Sequence, residues 1–162
     1  MTNATDNAEA QARAQLASVV AMVVALDCDF DRLEELRDQK DDEDAEPLTL
    51  DEVEELEELE AQANGCSDQE DAERAIDEDP LDVMVRSDWT APGEELTPSE
   101  FMILLCTGGP AVRILGEMNQ QGDPGRAWLE FQDWGTPWAH LSGISSDEAE
   151  ALVRYASRFI VA

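Results

Sequence analysis

The spacing of apolar residues changes at Asp79-Pro80, and that change constrains the fold more than any other feature. Before it, Leu16, Val19, Val20, Val23, Leu26, Phe30, Leu33 and Leu36 recur at steps of three and four, the period of a helix with one buried stripe. No Pro or Gly interrupts this ladder, so one long helix is expected from Glu9 to about Lys40. Residues 1–8 are expected to be a disordered start. Thr49-Leu50-Asp51-Glu52 is a capping box opening a second helix through Val53, Leu56 and Leu59, with Gly65 as its stop. Ser67-Asp68-Gln69-Glu70 repeats the pattern for a third, short helix that Asp79-Pro80 closes. Short links between helices imply antiparallel neighbours.

After Pro80 the period falls to two. Leu81–Arg86 alternates as a half-buried strand does, and Phe101–Cys106 is a continuous apolar run suited to a central strand. Gly108-Gly109-Pro110 turns into Ala111–Met118, and Gly122-Asp123-Pro124-Gly125 turns into Ala127–Trp134. Ser145-Ser146-Asp147-Glu148 caps a last helix whose expected face is Ala149, Leu152, Val153, Ala156, Phe159 and Ile160. The reading is an α+β protein: an acidic antiparallel helical hairpin over 9–79, then a small antiparallel sheet with a C-terminal helix over 80–162.

Charge narrows the function. Of the 34 residues from Asp27 to Glu60, 18 are acidic, and only Arg32, Arg37 and Lys40 oppose them. The whole chain carries −29. Such a surface excludes direct binding to nucleic acid or to an anionic membrane, which need clustered Lys and Arg. It suits a basic protein surface instead. Cys28, Cys66 and Cys106 are widely spaced and odd in number, which points to reduced thiols and a cytoplasmic setting. The run Leu16–Leu26 is too short to span a bilayer, and it begins after acids and lacks the basic n-region of a signal peptide.

Side chains three or four apart on a helix sit about 5–6 Å from each other, close to phosphate spacing. Asp27, Asp31, Glu34, Glu35 and Asp38 would form one row, and Asp51, Glu54, Glu55, Glu57 and Glu58 a second. Two neighbouring rows on a hairpin could imitate two phosphate tracks; a merely solvated, solubilising face is the plain alternative. Asp27-x-Asp29-x-Asp31 begins like a calcium loop, but Arg32 replaces the required Gly and Asp38 the final Glu, so no metal is expected. Cys106 before Gly108-Gly109 could be a nucleophile, yet His140 is the only histidine and nothing in the sequence orients it, so a buried cysteine before a turn is expected. Trp134 and Trp138 either close the core or offer a second contact. Arg113 and Arg126 are expected to pair with local acids.

Two segments carry a resemblance: Ile103-Leu104-Leu105-Cys106-Thr107-Gly108-Gly109-Pro110-Ala111-Val112-Arg113, and Ala127-Trp128-Leu129-Glu130-Phe131-Gln132-Asp133-Trp134-Gly135-Thr136-Pro137-Trp138. Together they resemble a family of small acidic proteins of unassigned function encoded by bacteriophages, prophages and other mobile elements. The resemblance covers roughly residues 80–138 and supplies no catalytic residues or cofactor. It implies a setting in which acidic proteins block host defence by imitating DNA, as anti-CRISPR and anti-restriction proteins do, and that step is analogy. The expectation is a non-enzymatic DNA mimic that meets a basic nucleic-acid-binding surface in the bacterial cytoplasm. The alternative is an adaptor that pairs through its helical hairpin with itself or with a partner.

Overall fold

Five helices and five strands follow from these patterns in a computed structural model that describes residues 4–161. The helices are α1 (Ala4–Ala25), α2 (Phe30–Asp41), α3 (Leu50–Ala63), α4 (Gln69–Asp77) and α5 (Ser146–Ala156). The strands are β1 (Asp82–Ser87), β2 (Pro98–Cys106), β3 (Ala111–Met118), β4 (Pro124–Gln132) and β5 (Ala139–His140). The α+β class is as expected. The chain forms two compact units, Met1–Val20 with Ile76–Ala162, and Ala21–Ala75. That division departs from the expected boundary at 79/80, because the first part of α1 belongs with the sheet. Of the start expected to be disordered, residues 1–3 lie outside the described residues; from Ala4 the chain is helical, and Ala8 is buried.

The sheet unit is an antiparallel meander in the order β1-β2-β3-β4-β5. Its inner face carries Phe101, Ile103, Val112, Ile114, Leu129 and Phe131, all buried. α5 packs along β4; Leu152, Ala156 and Ile160 of the expected face are buried together with Ala151 and Tyr155, while Ala149, Val153 and Phe159 are only half-buried. The Tyr155 ring is fully buried and its hydroxyl donates to the Asp79 carboxylate at 2.6 Å. The Ser145/Glu148 capping box is fully formed. In α1 the buried Ala8, Ala12, Leu16 and Val19 lie on one stripe, and Arg13 donates to the Ser142 carbonyl at 3.2 Å.

The helical unit corrects the expected long helix. The chain breaks after Ala25, and α2 starts afresh at Phe30. Asp29 is the cause: its side chain accepts the Arg32 amide at 3.0 Å, which caps a new helix inside the apolar ladder. The Thr49/Glu52 box is formed as expected. The third box moves by one residue: Asp68 accepts the Asp71 amide, and the Asp71 carboxylate reaches back to Ser67, displacing Ser67 and Glu70 from those roles. Cys28, Leu33, Leu36, Leu56 and Ala63 form the shared core of α2 and α3. The Gln62 amide donates to the Val24 carbonyl, Cys28 meets the Leu59 carbonyl, and Arg32 meets Glu55. Between α2 and α3 themselves the pairs Arg32–Glu55 and Arg37–Glu60 rise together in number, so these contacts do not give the antiparallel sense expected of a hairpin.

Candidate functional site

The acidic surface is built by the leucines that it avoids. On α2, Leu33 and Leu36 enter the core, so at 3.6 residues per turn Asp31, Glu34, Glu35 and Asp38 point the opposite way. On α3, Leu56 and Ala63 are buried, and Asp51, Glu54 and Glu58 lie opposite them. All of these acids are exposed, and so are Asp27 and Glu57. Residues 21–75 hold 22 acids against four bases, a net charge of −18.

Two of the four bases are spent at the seam between α2 and α3. Arg32 bonds Glu55 and Glu35, and Arg37 bonds Glu60. Glu55 is therefore an internal tie and not a free member of the outer row. The Arg32 hydrogen bond holds its carboxyl below the usual range. No salt bridge among the described residues engages Asp31, Glu34, Asp38, Asp51, Glu54, Glu57 or Glu58.

The expected side-by-side rows are not what the fold provides. Each row lies on the far side of its own helix from a core that both helices share, so the rows face outward in different directions. The acids therefore cover two outward faces of the unit and not one shared face. The segment from Asp27 to Asp31 spans the helix break and the first turn of α2, where Asp29 is used as a cap. Among the described residues no group of three or more His, Cys, Asp or Glu side chains is placed to hold a metal ion.

The outer face of the sheet is the other surface with chemistry. Strand register lines up three rows across it. Arg86, Glu100, Glu117 and Arg126 form one, and Met84, Met102, Leu115 and Trp128 the next. The third is Asp82, Leu104, Arg113, Glu130 and His140. The middle row lies along a groove of about 360 Å³. Glu130 is the single buried charged residue among those described, at 8% exposure. It accepts from Arg113 at 2.8 and 3.0 Å and from the Trp128 indole at 3.4 Å, with the His140 ring 3.3 Å away. That network satisfies both oxygens and fixes the side chains around it.

The two tryptophans differ in setting. Trp138 is covered by the Arg113 guanidinium at 3.9 Å from its ring centre, while Trp134 stands in solvent at 78% exposure. Trp89, which the sequence pattern did not single out, is fully exposed in the segment after β1. Arg113 and Arg126 meet local acids as expected, Glu130 and Glu117. The Cys106 thiol faces the Pro110 carbonyl at 3.7 Å, and burial pushes its pKa up.

Comparison of the chain with protein-family models, curated proteins and solved structures finds no match. No helix among the described residues is long and apolar enough to cross a membrane.

Proposed function

We propose that the protein is a non-enzymatic inhibitor that offers α2 and α3 to a basic, nucleic-acid-binding cleft of a bacterial defence complex, a CRISPR effector or a restriction enzyme, in place of DNA. The observation that carries this reading is the set of seven exposed carboxylates without a basic partner. Unneutralised like charge on a helix weakens it, so its retention at this density favours a use outside the fold.

Geometry supports a cleft over a flat surface. A helix rises about 1.5 Å per residue, so acids at steps of three and four fall about 5 Å apart along each rod. Each row gives one charge per roughly 5 Å of its own helix axis, against about 1.7 Å for both strands of duplex DNA, and the second helix adds a second such row. A duplex also carries its charges on the outside of a rod, and a channel that wraps DNA meets them from more than one side. Cys106 is turned to the Pro110 carbonyl and burial raises its thiol pKa, which favours a reading without covalent chemistry. The resemblance of the segments 103–113 and 127–138 to proteins of phages and mobile elements supplies the setting by analogy.

Pairing through the hairpin has less support. Leu33, Leu36 and Leu56 are consumed inside the unit, which leaves only Leu50 and Val53 exposed on these helices.

The test is a pull-down from bacterial lysate, with elution by competing duplex DNA and, separately, by about 1 M salt, where the Debye length is about 3 Å. Recovery of one nucleic-acid-binding complex released by both supports the proposal. It requires that the same complex be lost with a variant carrying Asp31→Asn, Glu34→Gln, Glu54→Gln and Glu58→Gln. An empty eluate, or a partner that stays bound at high salt and to the variant, overturns it.

A further inference from the structure

β1 ends one side of the sheet and has no strand beyond it. A free edge presents unpaired N–H and C=O groups, and proteins usually blunt it with Lys, Pro or a covering segment. β1 has neither Lys nor Pro, and Met84 and Val85 on it are 49% and 50% exposed. The alternation read from the sequence as half-buried is an open edge in the structure.

The strand is also complementary to itself. Run antiparallel to a second copy with Met84 opposite Met84, it sets Asp82 opposite Arg86 and Arg86 opposite Asp82. Val83 then falls opposite Val85. The faces agree: register with Leu104, Met102 and Glu100 puts Asp82, Met84 and Arg86 on the outer side. Register with Ile103 and Phe101 puts Val83 and Val85 on the inner side.

We propose that two copies of this chain associate through β1, joining their sheets across a two-fold axis with Asp82 of each copy paired to Arg86 of the other. The proposal is independent of the acidic helices. Asp82 has only the amide of its own neighbour Val83 as a hydrogen-bond donor, at 2.9 Å. Arg86 gives its Nε to Glu100 and keeps a side chain that is 77% exposed, so its Nη groups can reach a second carboxylate. Cross-strand pairs of opposite charge stabilise a sheet, and like charges directly opposite destabilise it. The pairing also brings two copies of the row Met84, Met102, Leu115 and Trp128 end to end. A two-fold contact of this kind closes at two copies.

Two factors keep the dimer weak. Five paired residues bury less than the roughly 1,200 Å² of stable interfaces, and each copy carries −29. Association is therefore read over a concentration series by sedimentation equilibrium, with the wild type, Asp82→Arg, Arg86→Asp, and an equal mixture of the two variants. The wild type is expected to dimerise with rising concentration. Each variant alone faces like charge with like and should bind itself about tenfold or more weakly. The mixture restores both opposite pairs, so it should dimerise as the wild type does. Asp82→Arg leaves the Arg86–Glu100 pair intact, and circular dichroism with thermal melting confirms that both variants are folded. A wild type that stays monomeric throughout, a dimer indifferent to Asp82→Arg, or a mixture no better than its parts overturns the proposal.

Discussion

Arg32 grips both oxygens of Glu55, with Nε to Oε1 at 3.1 Å and Nη2 to Oε2 at 2.9 Å, and so ties α2 to α3. Glu54, one residue earlier, points to solvent. Neighbours of the same chemistry thus have opposite effects on the fold. Glu55→Gln should lower the urea midpoint at neutral pH, while Glu54→Gln should raise it by relieving repulsion. The Glu55 carboxyl is held below its usual value by Arg32. Its contribution is present above the unfolded carboxylate range and is lost as pH falls through the folded value. The gap between Glu55→Gln and wild type should therefore close in acid. A gap that persists there would show that the hydrogen bond is not its source.

Repulsion within residues 21–75, at net −18, should make the protein more heat-stable in sodium chloride. The Debye length falls from about 10 Å at 0.1 M salt to about 3 Å at 1 M, which screens the unpaired rows. Melting curves over that range should shift upward, and the shift should shrink in the variant with four neutralised carboxylates. An unchanged melting temperature would mean that the rows do not load the fold.

Tyr155 provides an alkaline limit. Burial raises the pKa of its hydroxyl, and the Asp79 carboxylate that accepts its proton raises it further. A raised folded value means that the stability is fully present below the unfolded tyrosine value, about 10, and is lost as pH climbs beyond it. Urea midpoints should fall above about pH 10, and Tyr155→Phe should flatten that fall. At neutral pH the same change should cost about 1.5–3 kcal/mol, the worth of a hydrogen bond to a charged group.

Gly116 sits beneath the Phe101 ring on the inner face of the sheet. A Cβ there would clash with that ring and lie 2.5 Å from the Arg126 carbonyl oxygen. Gly116→Ala should destabilise by about 1–3 kcal/mol, the usual cost of overpacking. Adding Phe101→Leu should recover part of it, measured by chemical denaturation; a single variant as stable as wild type would deny the close contact.

Local hydrogen-bond grammar was the most legible layer of the sequence. The Thr49/Glu52 and Ser145/Glu148 boxes formed as written, because their donors and acceptors lie within three residues of each other. The Asp29 cap was hidden, since Leu26, Phe30 and Leu33 keep helical step across the break and an acid among acids gives no signal. Tyr155 was overlooked because its partner, Asp79, is 76 residues away. The acidic residues could be assigned to outward faces from the leucines alone. Which way those faces point depends on the shared core of two helices, and one helix's period does not contain that. The edge position of β1 was equally invisible, because alternation looks the same in a strand with one neighbour or two.

The first part of α1 belongs to the same unit as the sheet, although the whole acidic unit lies between them in the chain. A ribosome therefore releases Ala8, Ala12 and Leu16 long before the strands of their unit exist. The acidic helices can mature first, during that wait, as an insertion within the sequence of the other unit. Cutting the gene at Pro80 would not yield that unit whole; it would yield one without the α1 residues that belong to it.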